Sequence, residues 1–349
     1  MAQEVRIGIV GMGIGKENAR GFHGHPRARV TALCDLDESR TAAFARELGG
    51  DIACYTDYRT CCREAPIDAL FVGTPNQWHV PVAMEAVRRG KHVMITKPLA
   101  DALAPARELV AAAEAAGLVN MMSLSMRFGD GVRHLGRLAA ANAFGQMYYG
   151  RARSIRRSGI PDWSAGFIQA GGGAFRDMGV HVLDSAWWLM GRPRPETVSG
   201  VAGAMFGPRG LGYHRYKVPE PSFSSRFAAD DYGGGLVRFA DGAGLQVESF
   251  WASHQPDEIN IELFGTDGGA RLEPLSLYRT EHGVPTSAAL SPPKGDRTVW
   301  QTLADHFVGC ILDGQICDAP LRDGLIVQAM LEALLESAAG HHEVRVAAT

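Results

Sequence analysis

What most constrains this chain is the regular alternation of two hydrophobic periods along its N-terminal part. Short β-rich runs occur at Val5 to Val10, Val30 to Cys34, Ile67 to Val72, His92 to Ile95 and Val119 to Leu124. Between them lie stretches with helical spacing at Asp37 to Leu48, Val80 to Arg89 and Ala102 to Ala116. Strand, helix and strand in repetition predict a parallel sheet with helices on both faces, an α/β unit.

Near residue 124 the pattern changes. A helical segment from Asp130 to Phe144 precedes a strand from Gln146 to Arg156, and a glycine-rich break at Gly171 to Gly173 opens another helix. Extended runs then follow at Thr197 to Met205, Asp231 to Phe239, Gly244 to Trp251, Glu258 to Phe264 and Ala270 to Tyr278. With turns such as Ala240-Asp241-Gly242 between them, they predict a mixed or antiparallel sheet. Segments 207–226 and 280–297 are expected to be surface loops, and Thr298 to Leu312 and Arg322 to Ala339 to be helices. A chain of 349 residues suits two domains, expected at 1–124 and 125–349.

A formal net charge of -3 shows no basic excess for phosphates, so neither nucleic acid nor a membrane surface is expected as a partner. No stretch is apolar enough to span a membrane and no signal peptide is recognised, which places the protein in the cytoplasm as an expectation. The six cysteines form no Cys-x-x-Cys pair and no Cys/His grouping of zinc-finger type, so free thiols and no metal are expected.

Two segments carry chemistry. In the first, Gly11 and Gly13 stand where a buried strand turns into a helix, letting the backbone approach a pyrophosphate. The third glycine of Gly-x-Gly-x-x-Gly is displaced: Lys16 holds its position and Gly15 precedes it. Asp35 ends the second strand 24 positions after Gly11, near the offset of a carboxylate that binds an adenosine ribose diol. This favours NAD, while Arg40 close by keeps NADP admissible. Thr74 and Lys97 follow further strands and should gather at the same sheet edge as Gly11 and Asp35.

The second segment runs Gly171-Gly172-Gly173-Ala174-Phe175-Arg176-Asp177-Met178-Gly179-Val180-His181-Val182-Leu183-Asp184. On a regular helix Asp177, His181 and Asp184 form a polar stripe suited to a cleft. The competing readings are a core histidine satisfied by Asp177 and an Asp-His-Asp metal site.

The glycine loop, Thr74-Pro75-Asn76 with His79, Lys97-Pro98, and the glycine-rich segment carrying Asp177, His181 and Asp184 together resemble the Gfo/Idh/MocA family of oxidoreductases, named for glucose-fructose oxidoreductase and inositol dehydrogenase. The resemblance implies an N-terminal Rossmann domain and a C-terminal α+β domain with a large open, mostly antiparallel sheet, assembled as a homodimer or homotetramer. It implies a catalytic trio of Lys97, Asp177 and His181, and cofactor contacts from Met12, Gly13, Ile14, Asp35, Thr74, Pro75, Asn76, His79 and Lys97. Met126 and Arg127 match a segment that reaches the active site in that family. Where the family usually has Glu-Lys-Pro, this chain has Thr96-Lys97-Pro98.

The expected reaction is NAD(P)-dependent interconversion of a secondary alcohol and a ketone on a polyhydroxylated substrate such as a sugar, glycoside or cyclitol. Lysine titrates near about 10.4 and histidine near about 6.5, so holding a lysine neutral at pH 7 costs roughly 4 kcal/mol. His181 is therefore the expected acid/base, with a cationic Lys97 polarising the oxygen; a Lys97 base beside NAD+ stays open. Trp163 offers a face to a sugar ring while Arg127 or Asp162 bonds hydroxyls, the alternative being an ordinary packed tryptophan. The rival functions are a redox-neutral NAD-dependent glycosidase or lyase working through a transient ketone, and a non-catalytic dinucleotide-binding protein.

Overall fold

The computed structural model describes residues 4–292 and 295–349. They form two compact units, residues 4–128 with 295–325 and residues 129–292 with 326–348.

In the first unit, β1 (Val5–Val10), β2 (Ala28–Cys34), β3 (Ala53–Tyr55), β4 (Ala69–Val72), β5 (His92–Thr96) and β6 (Asn120–Ser123) make one sheet in the order β3-β2-β1-β4-β5-β6. Every pairing is parallel. The order reverses at β1, which pairs with both β2 and β4, and ligands of such sheets sit beyond the strand ends at that reversal. The helices are α1 (Gly15–His23), α2 (Glu38–Leu48), α3 (Tyr58–Glu64), α4 (His79–Arg88) and α5 (Leu103–Ala115). Asp37 and Asp57 cap α2 and α3 by accepting the amides of Ser39 and Thr60. Strand β3 was not expected: three residues are too few for a period to show, and pairing with β2 holds them.

A single boundary after residue 124 would put everything C-terminal to it in the second domain. Instead, α10 (Val299–Asp313) packs on α1. A side chain at Gly21 would meet the Trp300 carbonyl at 2.5 Å, and the Phe22 and Phe307 rings meet edge-on at 6.1 Å. The chain passes into the second unit within α11 (Leu321–Gly340).

The second unit holds α6 (Asp130–Ala140), β7 (Met147–Ile155), the single turn α7 (Ala165–Ile168), α8 (Val180–Leu189), β8 (Pro195–Gly203), the turn α9 (Pro221–Ser224), β9 (Tyr232–Phe239), β10 (Gly244–Phe250), β11 (Glu258–Gly265), β12 (Gly269–Arg271), β13 (Ser276–Glu281), β14 (Val284–Ala289) and β15 (Val344–Arg345). Nine strands run in the order β14-β13-β12-β11-β7-β10-β9-β8-β15. The β7 and β10 pair is parallel and the other pairs are antiparallel. Helix α8 covers one face, against which Ala152, Val247 and Ile261 are fully buried. The other face carries Arg151, Arg153, Glu258, Glu262 and Arg271 as a ladder of cross-strand ion pairs.

Two expectations give way here. The run Ala270 to Tyr278 is two strands, β12 and β13, with Pro274, which has no N–H for the ladder, between them. The segment expected to be a loop over 280–297 contains β14, hairpinned onto β13. Its sequence, Val-Pro-Thr-Ser-Ala-Ala, lies mostly exposed at the sheet edge and so lacks the hydrophobic alternation by which strands are recognised.

Candidate active site

The strand-to-helix turn of the first unit is built from three glycines. Gly11 has φ +92°, and a Cβ there would lie 2.5 Å from the Gly73 carbonyl oxygen, so only glycine fits. Gly13 faces open space, with no atom within 4 Å of where a Cβ would stand. A Cβ on Gly15 would already touch Ile9 Cγ2 at 3.0 Å, which brings α1 close against β1. Gly15 thus does the packing that the motif assigns to the next position, and Lys16 turns its ammonium over the Phe44 ring at 5.4 Å.

Asp35 follows β2. Its Oδ2 accepts the Met12 amide at 2.7 Å and its Oδ1 the Asp37 amide at 3.2 Å. Arg40 reaches the same carboxylate at 3.3 Å and also donates to the Met12 carbonyl at 2.8 Å. A carboxylate and a guanidinium therefore grip the loop Gly11-Met12-Gly13-Ile14 from one side.

Beyond β4, the Thr74 hydroxyl oxygen is buried with no hydrogen-bond partner among the described residues. An orphaned buried hydroxyl costs free energy, which a bound ligand would recover. Pro75 and Asn76 lead into a short 3-10 turn, Asn76–Trp78, that enters α4. His79, expected to touch a cofactor, is fully buried: Nε2 lies 2.7 Å from the Thr74 carbonyl and Nδ1 2.7 Å from the Pro98 carbonyl. It acts on the site by tying two loops together. A neutral ring donates to one carbonyl only, so the second favours protonation, but burial outweighs this and pushes the imidazole below its usual value. Lys97 follows the buried end of β5 at Thr96, and its bond to Pro98 is cis.

Met126 and Arg127 lie on the turn Ser125–Phe128, Met126 half-buried. Arg127, expected to bond substrate hydroxyls, is 1% exposed; its Nη1 donates to the Asp318 carbonyl at 2.6 Å and to Asp323 at 2.7 Å. Those donors anchor the first turn of α11 and the residues ahead of it within the first unit.

In the second unit, Phe175–Gly179 is a π-helical turn that continues into α8. The expected stripe is divided beyond it, within the regular turns of α8. Asp177 and His181 are half-exposed, whereas Asp184 is fully buried. The indole N–H of Trp251, just past β10, donates to Asp177 Oδ2 at 3.0 Å. Asp230 Oδ2 accepts the Phe175 amide at 2.9 Å and so fixes the start of the turn; burial raises its carboxyl above the usual range. Gly179 and Gly233 leave room for the Phe175 ring between turn and sheet. Trp163 is 59% exposed, edge-on to His214 at 5.4 Å and Phe167 at 5.9 Å, while Asp162 pairs with Lys217 at 3.0 Å. It is therefore an open aromatic surface and not a packed one. Among the described residues the one converging group of three metal-type donors lies elsewhere, so Asp177, His181 and Asp184 do not make such a group.

Trp251 and Asp230 were not picked out from the sequence. They stand 74 and 53 positions from Asp177, and only the sheet register brings them to the turn.

Comparison with known proteins agrees with this geometry. Residues 5–124 match the model of the Gfo/Idh/MocA oxidoreductase family, NAD-binding Rossmann fold, and residues 132–271 match a Gfo/Idh/MocA C-terminal domain. D-glucoside 3-dehydrogenase of Escherichia coli K12 is 25% identical over 340 residues, covering 96% of this chain and 95% of the relative. D-apiose dehydrogenase of Paraburkholderia graminis is 27% identical over 329 residues, covering 89% and 81%. A levoglucosan dehydrogenase solved with NADH and levoglucosan superposes with a TM-score of 0.80 at 22% identity, covering 99% of this chain and 100% of that one. The glycine turn, the Asp35 carboxylate and the orphaned Thr74 hydroxyl fit the NAD of an NAD-binding Rossmann fold. With both units matched in chain order, the protein belongs to the Gfo/Idh/MocA family of NAD-dependent oxidoreductases.

Proposed function

We propose that the protein oxidises a secondary hydroxyl of a sugar, glycoside or cyclitol to the ketone, or catalyses the reverse. The observation that carries this reading is the pair of hydrogen bonds made by His79, which holds the Thr74 loop against the Lys97-Pro98 loop. A cation-bearing loop is thereby fixed beside an unpartnered hydroxyl at the end of the parallel sheet. Bound NAD supplies the hydride acceptor. Lys97 holds a positive charge at the substrate oxygen as alkoxide character develops. His181 takes the hydroxyl proton in oxidation and returns it in reduction. Asp177, itself fixed by Trp251, orients the imidazole or a neighbouring hydroxyl. Trp163, exposed beside Asp162, presents an aromatic face to the ring.

The relatives named above act on a glucoside, apiose and levoglucosan, which supports the polyhydroxylated class. Purified protein incubated with NAD and a panel of sugars, glycosides and inositols should form NADH with some members of it. Lys97→Met and His181→Ala should each lower kcat by about 100-fold or more, the usual range of acid/base and electrostatic groups. Full turnover in both variants would remove the role assignment. Release of an aglycone without net NADH would instead identify the redox-neutral glycosidase or lyase.

The same reading includes a homodimer or homotetramer formed through the open face of the nine-stranded sheet. Its support is the exposure of Val201 (64%) on β8, in a face otherwise studded with ion pairs. Light scattering measures the assembly mass, and a monomer at micromolar concentration would refute it.

A further inference from the structure

Away from the nucleotide loops, the first unit brings three soft donors together. His306 and Cys310 stand at i and i+4 on one face of α10. The helix ends at Gly314 in the left-handed conformation, and the chain turns back to present Cys317. One donor atom from each of the three residues lies within 4.8 Å of the others. Cys310 Sγ is 3.6 Å from His306 Nε2. The spacing along the chain hid this group, because its third member arrives only through the turn at Gly314.

We propose that His306, Cys310 and Cys317 form a binding site for a zinc ion. Tetrahedral zinc with bonds of roughly 2.3 Å to sulfur and 2.0–2.1 Å to nitrogen needs sulfur and nitrogen about 3.6 Å apart. The Cys310 to His306 separation already meets that requirement. Two thiolates and a neutral imidazole give the set a charge of about -2, which the ion neutralises. Each thiol releases its proton to solvent as its sulfur binds. Water completes the tetrahedron, and Cys317 is exposed enough to admit it. The His306 ring leans on Phe128, centroids 5.3 Å apart, so one side of the site is walled by an apolar ring.

Two existing bonds must yield: the Cys317 thiol, which donates to the Asn120 carbonyl at 3.8 Å, loses that bond with its proton. The Asp318 amide donates to His306 Nε2 at 2.8 Å and would turn away when the ion takes that lone pair. The neighbouring carbonyl keeps its anchor, since Arg127 donates to it at 2.6 Å. The ion would therefore clip the end of α10 to the loop that Arg127 already holds, a structural staple independent of the hydride chemistry.

The test uses the full chain, reduced, freed of metal with a chelator and titrated with zinc chloride by calorimetry. One zinc per chain is expected, and Cys310→Ser and Cys317→Ser should each weaken binding by about 100-fold. Cadmium chloride added to the unmutated protein should produce a thiolate-to-metal charge-transfer band, a readout that needs no variant to fold. Absence of the band, absence of binding, or a zinc affinity left unchanged by either serine substitution would overturn the proposal. So would a Cys310–Cys317 disulfide in air-oxidised protein whose reduced form takes up no zinc.

Discussion

Trp251 Nε1 donates to Asp177 Oδ2 at 3.0 Å, and the indole that does so is fully buried. One side of the Asp177 carboxylate is thus set by the strand-rich sheet, while its backbone belongs to the π-helical turn. Trp251→Phe keeps most of the buried ring and deletes the donor. A hydrogen bond to a charged group contributes about 1.5–3 kcal/mol, so kcat should fall by about 10- to 100-fold with the substrate KM changed much less. Steady-state kinetics on protein with an unaltered circular dichroism spectrum provide the check, and an unchanged kcat would show that Asp177 needs no such orientation.

Asp35 and Arg40 hold the Gly11-Met12-Gly13-Ile14 loop with opposite charges. Asp35→Ser removes the carboxylate that would bond a ribose diol and leaves the guanidinium able to meet a 2'-phosphate. The KM for NAD should rise by about 10- to 100-fold and that for NADP should fall. Parallel kinetics with the two cofactors decide it; retention of the original NAD preference would remove Asp35 from the ribose site.

The Thr74 hydroxyl should matter only when the cofactor is present. Thr74→Val replaces an orphaned buried oxygen, whose burial costs about 1–3 kcal/mol, with a methyl of similar size. The unliganded protein should melt at the same temperature or higher, while NAD affinity drops by about 10-fold. Differential scanning fluorimetry with and without NAD separates the two effects. A lower melting temperature without NAD would mean that the hydroxyl is already satisfied.

His79 predicts a pH dependence of stability. Burial holds its folded-state value below the usual 6.5, so the unfolded chain binds the proton first as pH falls. The stabilisation is present in full above about pH 6.5 and is lost as pH drops toward the depressed folded value, by at most about 1.4 kcal/mol per pH unit for this one group. Urea unfolding of the N-terminal unit's signal between pH 7.5 and 5.5 should show the loss. His79→Asn should flatten that part of the profile while lowering stability throughout, because two loop carbonyls lose their partner. An unchanged profile in the variant would assign the dependence to other groups.

The parallel sheet, its helices and the cofactor loop were legible because their signals are local. Strand periods, the glycines at 11, 13 and 15 and the acid at 35 all act within a few residues of their own elements. Family resemblance added the candidate trio of Lys97, Asp177 and His181 in the same way, as short motifs in order. The three-residue β3 and the polar edge strand β14 escaped, since one is too short and the other too exposed to carry a hydrophobic period.

What tertiary structure alone decided is how those residues are held. That His79 bridges two loops, that Arg127 is buried on Asp318 and Asp323, and that α10 belongs with α1 depend on contacts between distant segments. The same holds for Trp251 meeting Asp177 and for Cys317 returning to His306 and Cys310. A sequence states which side chains exist and which local backbone they prefer. Register between strands and the direction of a returning loop come from burying apolar surface across the whole unit, and no window of neighbouring residues contains that sum.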